Sequence, residues 1–338
     1  DIEFTDLFYN GNGLKKDFSN FIKSIYQISN DVSIYADLQL RNIDYQTSGS
    51  TSNIDQLVVD KKYSFFNPKA GLNYDINQKN KIYFSLSKAH REPTRSDFEN
   101  NINIQPEELI DYELGWKYNA EKFFFNSNLY YMGYKNQLVL TGALDDVGSP
   151  IRENSGKSYR TGIELESVYK ATNKLNISAN ISFSENKNVD YKTNYNGVIT
   201  DWGDTDISFS PNVISSAGIQ FSASQDLTFT LLNKFVGNQY MSNTESNISK
   251  LSSYSTTDLN ILYTIENSAL WMFGSAYFSE IIVTAMINNI FNKEYVSNGY
   301  YYTYDDTWSD PNLITTIEGT GYYPQAKRNF LLGLTFKL

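Results

Sequence analysis

The closing run Arg328 to Leu338, RNFLLGLTFKL, alternates strictly. Phe330, Leu332, Leu334, Phe336 and Leu338 take one face, and Leu331, Gly333, Thr335 and Lys337 take the other. A period of two is the mark of a β-strand. An apolar face carried to the final residue needs an apolar medium outside the sheet, and lipid supplies one.

Composition narrows the choice. The chain of 338 residues has no Cys, one His, 27 Tyr and 21 Phe, with aromatics at 15% and charged residues at 20%. That aromatic content fits no disordered class. No run of about 18 apolar residues occurs, which excludes a transmembrane helix. A transmembrane β-barrel predicts this profile: polar on average, aromatic-rich, and apolar only at every second residue. The absence of Cys is compatible with an oxidising envelope compartment, although many cytosolic chains lack it too. A net charge of −10 argues against nucleic acid, whose binders carry basic faces. The sequence starts at Asp1 with no signal peptide, so an exported protein would be mature, truncated or part of a longer polypeptide.

Alternating segments recur along the chain. We expect strands near 14–29, 32–45, 65–76, 81–89, 107–118, 122–140, 157–169, 175–186, 212–223, 227–236, 251–264, 280–290 and 323–338. Short turns at 30–31, 77–80, 119–121, 171–174 and 224–226 alternate with long polar loops at 46–64, 90–106, 141–156, 187–211, 237–250 and 291–322. Short turns on one rim and long loops on the other is the plan of an outer-membrane barrel. Segment 265–279 is long but falls on the short-turn side, and reads as an extended periplasmic hairpin with Trp271 and Phe273 near the interface. Residues 2–9 read as the end of an earlier strand, which would make fourteen.

The faces agree with this plan. In the fifth strand Ile110, Tyr112, Leu114, Trp116 and Tyr118 oppose Leu109, Asp111, Glu113, Gly115 and Lys117. In the seventh, Ile163, Leu165 and Tyr169 oppose Arg160, Gly162, Glu164 and Glu166. The second faces are too polar for the core of a soluble sandwich and suit a wet lumen. Sandwich strands also run to only ~5–6 residues. The fold class is therefore all-β, a transmembrane antiparallel barrel.

Three stretches carry a family resemblance. His90–Phe98 (HREPTRSDF) resembles an Arg-x-Pro segment, matched by Arg91 and Pro93. Gln105–Gly115 (QPEELIDYELG) resembles a strand entry of the form P-E…YELG, matched by Pro106, Glu107, Glu113 and Gly115. NNIFNKEY, with Asn289, Phe291, Asn292 and Tyr295, and the strand opening at Arg328 and containing Phe336, resemble the last two strands. In this order they resemble the C-terminal barrel of TonB-dependent outer-membrane receptors, active importers of metal chelates and similar nutrients. The resemblance implies a 22-stranded barrel around an N-terminal plug, with about nine strands, the plug and the TonB-contacting segment outside this sequence. It implies a Gram-negative outer membrane, lipid contact, an energy-coupling partner reached through the N-terminal region, a small-molecule chelate, and in some relatives a surface lipoprotein. Unlike the family's usual aromatic terminus, this chain ends on Leu338.

Candidate residues follow, each with a structural alternative. Arg91, Arg95, Arg152 and Arg160 lie near the long-loop rim, where they attract an anionic chelate or pair with carboxylates of adjacent strands or lipid headgroups. Trp202, Tyr240, Tyr301 and Trp308 stack on a bulky ligand or pack against other loops. Glu107, Glu113, Glu164 and Glu166 face plug or water in the lumen. His90, the only histidine, sits beside the Arg-x-Pro segment at a strand end, where it contacts substrate or makes rim hydrogen bonds, and no constellation supports the Ser-His pair of a hydrolase. No metal spacing appears, and Asp201, Asp204 and Asp206 read better as a solvated loop than as a cation site. We expect no enzyme, no cofactor and no resident metal. Two other readings stand beside active import: a passive 14-stranded channel, and a surface or structural barrel without transport.

Overall fold

The computed structural model describes residues 10–50, 56–145, 148–195, 198–266, 278–306, 308–309, 313 and 315–338. The chain opens with β1 (Asn10–Gln27), β2 (Val32–Ser50), β3 (Leu57–Asn77) and β4 (Asn80–Arg91), then a short helix α1 (Arg95–Asn100). Strands β5 (Glu107–Asn119) and β6 (Phe123–Lys135) precede a hairpin of β7 (Leu138–Leu144) and β8 (Pro150–Asn154). Next come β9 (Lys157–Thr172), β10 (Leu175–Tyr195), β11 (Val198–Asp206), β12 (Val213–Ser222) and β13 (Leu227–Val236). A short pair, β14 (Gln239–Tyr240) and β15 (Lys250–Leu251), is followed by β16 (Tyr254–Glu266) and β17 (Glu280–Asn288). The hairpin β18 (Val296–Asp306) and β19 (Thr315–Pro324) leads to β20 (Asn329–Lys337).

Thirteen strands form one wall in the order β1-β2-β3-β4-β5-β6-β9-β10-β12-β13-β16-β17-β20, and β11 adds to β10. Neighbours along the wall are antiparallel, and β1 and β20 are its two edges. Each expected strand has its counterpart, with two corrections. The strand expected over 122–140 stops at Lys135, where Asn136 turns the chain with a φ of 54°. The one expected over 323–338 is split, because Pro324 lacks the N–H needed to continue a ladder. The expected fourteenth strand (2–9) and the hairpin residues Trp271 and Phe273 lie outside the described residues.

Register separates the two faces sharply. Across seven adjacent strands one rung reads Ile34, Leu72, Phe84, Leu114, Leu129, Ile163 and Phe183. The next rung reads Tyr35, Gly71, Ser85, Glu113, Tyr130, Gly162 and Ser184. A one-residue step moves from an all-apolar row to a row of polar, tyrosine and glycine side chains, which forbids slippage. Phe84, Leu114, Leu129 and Phe183 are exposed on the outer surface, as a lipid-facing row must be.

Aromatic rings mark the edges of the apolar band. At the short-turn end Trp116, Tyr118, Phe123, Phe125 and Tyr169 form a contiguous ring cluster. At the long-loop end Tyr112, Tyr131 and Tyr159 do the same. On β9 the two girdles, Tyr159 and Tyr169, are ten positions apart. At ~3.3 Å per residue and a tilt of ~40° that separation spans roughly 25 Å of membrane, the height of an outer-membrane apolar band. Strands β3 and β10, at 21 residues each, exceed the ~9–11 needed to cross, so the wall stands above the bilayer on the long-loop side.

Candidate functional site: the lumen wall and the loop crown

The lumen face is built on pairs of tyrosine and glycine. Tyr35 lies over Gly71, Tyr83 over Gly115 and Tyr130 over Gly162, each pair directly opposed on neighbouring strands. A Cβ at Gly115 would sit 2.1 Å from the Tyr83 ring. Glycine here leaves room for the ring to lie flat on the wall, which shields its own weak point in the sheet. These pairs, invisible in the sequence, explain Gly115 of the YELG stretch and Gly162 on β9. Beside them Tyr83 donates to Asn128 Oδ1 at 3.1 Å and Ser85 to Glu113 at 3.0 Å. Glu164 lies opposite Asn128 and Ser182, and Glu166 opposite Asn126 and Asn180, so both carboxylates face the lumen.

Glu107 has another place. It accepts from the backbone N–H of Leu138 at 2.8 Å and pairs with Arg91 at 3.5 Å, while Arg91 also donates to the Leu138 carbonyl. It therefore ties β5 to the base of the β7–β8 hairpin. Pro106 stands just before it, and the adjoining Gln105 backbone exchanges two hydrogen bonds with the Asn154 side chain.

The Arg-x-Pro segment is a structural knot. Glu92 receives Arg41 Nη1 at 2.9 Å and also pairs with Lys15, while Arg41 grips Asp17. Pro93 is fully buried. Asp97 accepts both the backbone N–H and the hydroxyl of Thr94 at 2.7 Å, closing the first turn of α1. Phe98, 0% exposed, fills a small core of Leu57, Val59, Ile104 and Leu138. Arg95 pairs with Glu99 at 2.6 Å and donates to Thr47 and the Ser48 carbonyl, and Arg152 reaches Asp97 at 3.3 Å. His90 stacks on Phe65 at 4.9 Å, with Nδ1 2.7 Å from Asn67 Oδ1 and Nε2 3.4 Å from Glu108.

A second knot ends β17. Asn289 and Asn292 have φ of 52° and 55°, a left-handed backbone that asparagine tolerates better than most residues. Asn289 bonds both the N–H and the carbonyl of Lys293, and its own N–H reaches Asp258. Asn292 accepts from the Arg328 N–H, which sets the entry to β20. Tyr295 stacks on Tyr254 at 4.5 Å. Phe291 and Phe336 are exposed, the latter on the lipid face opposite Ile281.

Above the wall the long loops form a crown. Met241, Leu251 and Tyr301 are its core, with Phe209 and Val296 against it. Asn243 donates to the Leu140 carbonyl at 2.8 Å and accepts from the Ser208 N–H at 2.9 Å. Tyr301 donates to Glu318 at 2.6 Å, and burial together with that carboxylate pushes its phenol up to about 12. Tyr191 donates to Glu153, whose carboxyl is raised by burial. Arg160 donates to Asn186 and Ser210 at the crown's base. Tyr240 lies under the Lys250 ammonium, 5.6 Å from the ring centre. Trp202 donates to Thr193, and Trp308 is 89% exposed. Lys192 holds the Asp201 carboxyl below its usual range, and Asp206 pairs with Lys187. The predicted rim residues thus do not converge on one point. The arginines hold wall and loops together, Tyr301 is loop core, and Trp202 and Trp308 stay accessible.

Solved structures share this fold. The siderophore receptor PiuA from Acinetobacter baumannii superposes with a TM-score of 0.72 at 16% identity, over 96% of this chain and 44% of that one. The closed form of the ferric-catecholate import receptor Fiu from E. coli K12 gives 0.69 at 14% identity, over 96% and 45%. The copper transporter OprC gives 0.69 at 14% identity, over 96% and 48%. The chain spans less than half the length of these structures. No curated protein matches it by sequence. The family model described as "TonB dependent receptor-like, beta-barrel" matches residues 4–290. With its lipid-facing rows, polar lumen and knotted rim, the chain belongs to the TonB-dependent receptor-like β-barrel family.

Proposed function

We propose that this chain is the C-terminal barrel portion of an active importer, a receptor that takes a scarce nutrient through the outer membrane as a metal chelate or a cobalamin-like compound. The family is one of transporters and receptors of the Gram-negative outer membrane, working with TonB on chelate substrates. One observation carries the reading: a wall whose inner rungs are polar and whose long-loop rim carries a crown of packed loops. Such a crown suits selective capture better than free diffusion. Among the described residues β1 and β20 each pair on one side only, which supports a larger wall. In this reading Glu113, Glu164 and Glu166 meet a plug within the lumen, and the protein is no enzyme.

Uptake of radiolabelled metal chelates by cells carrying or lacking the gene tests this. Import that disappears both on deletion and on collapse of the proton-motive force is the expected result. Uptake indifferent to the proton-motive force would instead favour a passive channel.

A further inference from the structure

On the outside of the wall, at the long-loop girdle, strands β5, β6 and β9 form a groove of about 610 Å³. Three successive outward rungs build it. The lowest is Tyr112, Tyr131 and Thr161, the next Ile110, Gly133 and Tyr159, and the highest Glu108, Lys135 and Lys157. Gly133 has no side chain to place between Ile110 and Tyr159, so the middle rung is a trough with a backbone floor. The groove is thus apolar and aromatic where it meets the bilayer and cationic at its upper end.

Positive charge gathers there against the trend of the chain, whose net charge is −10. Lys135 and Lys157 oppose each other directly across β6 and β9, and both are exposed. Among the described residues neither pairs with a carboxylate. Glu108, opposite Lys135 on β5, is taken by Lys88 at 3.1 Å and lies 3.4 Å from His90 Nε2. Glu185, the outward carboxylate opposite Thr161, bonds the Tyr159 hydroxyl. Like charges opposed on neighbouring strands repel, and an anion between them removes that cost. Lys157 stands two residues beyond Tyr159, ~5 Å further along the membrane normal at ~3.3 Å per residue and a ~40° tilt. That is the level of lipid headgroups, which lysine reaches with its ammonium while its stem lies on apolar surface.

We propose that this groove holds one phosphorylated lipid of the outer leaflet. Its phosphate sits between Lys135 and Lys157, and an acyl chain runs from the Gly133 trough down past Tyr112 and Tyr131. The cationic end and the apolar floor are aligned with the bilayer normal, as the head and tail of a lipid are. A soluble anion needs only the first of these. The assignment depends on the wall standing in a membrane and not on what the barrel transports.

Native mass spectrometry of the full-length receptor tests this, by titration with bisphosphorylated lipid A and with its dephosphorylated form. The phosphorylated lipid is expected to bind at least about tenfold more tightly. Lys135→Gln combined with Lys157→Gln is expected to abolish that preference. Gly133→Leu, which fills the trough, is expected to weaken binding of the phosphorylated lipid about tenfold. Lys62→Gln, at an outward lysine of β3 that lies outside the groove and 4.0 Å from Asp44, is expected to change nothing. Heat-modifiable migration on gels checks that the variants are folded. Equal affinity for the two lipids, or phosphorylated-lipid binding unchanged in the double variant or in Gly133→Leu, overturns the inference. So does an equal loss in Lys62→Gln, which would leave only diffuse attraction to charge.

Discussion

Leu165 and Glu164 are neighbours in the wall; Tyr301 and Tyr302 are neighbours in the crown. Each pair splits, one side chain to each environment. In the wall the split is imposed by two media, since Leu165 shares a rung with Ser127 and Ile181 towards lipid while Glu164 faces the lumen. In the crown no bilayer sorts the residues. Tyr301 is buried at 7% exposure because Met241 and Leu251 cover it, and Tyr302, stacked between Tyr300 and Tyr304 on the other face of β18, stays 42% exposed. Wall order is therefore periodic and set by solvent, whereas crown order is aperiodic and set by which loops dock.

That contrast predicts where single changes hurt. Phe98→Ala empties a fully buried site beneath α1 and should cost about 3–5 kcal/mol of local stability. Proteolysis of the 90–106 loop should then accelerate while the wall remains intact. If the whole barrel lost its folded band on gels, crown and wall would be one cooperative unit and the contrast would fail. In the wall, Leu165→Arg places a charge in lipid and should cost roughly 2–4 kcal/mol. Glu164→Gln, one residue away, should change stability little, and equal losses for both by denaturant titration in micelles would contradict the face assignment.

Smaller effects probe the tyrosine–glycine pairs. Gly115→Val pushes into the Tyr83 ring and should destabilise by about 1–3 kcal/mol. Adding Tyr83→Ala should recover part of that loss if the clash is the cause. A double variant no better than Gly115→Val alone would put the glycine's role in backbone conformation instead.

The smallest effect concerns protons. Burial raises the Glu153 carboxyl in the crown, where Tyr191 donates to it. A carboxyl with a raised folded-state pKa favours the folded crown when protonated. Its contribution is full below the ordinary glutamate range and is lost as pH rises through the raised value. Hydrogen exchange around Tyr191 should accordingly be slower in acid than at neutral pH, after correction for intrinsic rates. Glu153→Gln should flatten that difference, and the same pH dependence in the variant would assign it to another group.

How far the sequence reaches differs between the regions for the same reason. All thirteen wall strands were legible, because a side-chain period of two is written locally wherever one face meets lipid. The β7–β8 hairpin was not, since Leu138–Leu144 continues the apolar character of β6 and only Asn136 breaks the strand. The polar run Lys135–Gln137 was the available signal. The motif residues were found, but their work was not. Arg91, Pro93, Asn289 and Asn292 are joints of the rim, and no local pattern names their partners. The aromatic loop stretch 299–304 offered Tyr301 as a ligand contact, and only the docking of Met241 reveals it as core.

The alternation of residues along each strand was enough to set membrane class, the thirteen described wall strands and the facing of Leu165 or Glu164, because those depend on neighbours one and two positions away. Tertiary structure alone decided that Tyr83 covers Gly115, that the rim arginines are engaged, and that Tyr301 is buried in the crown. Those facts join residues tens of positions apart, and a contact between distant segments leaves no periodic trace in either of them.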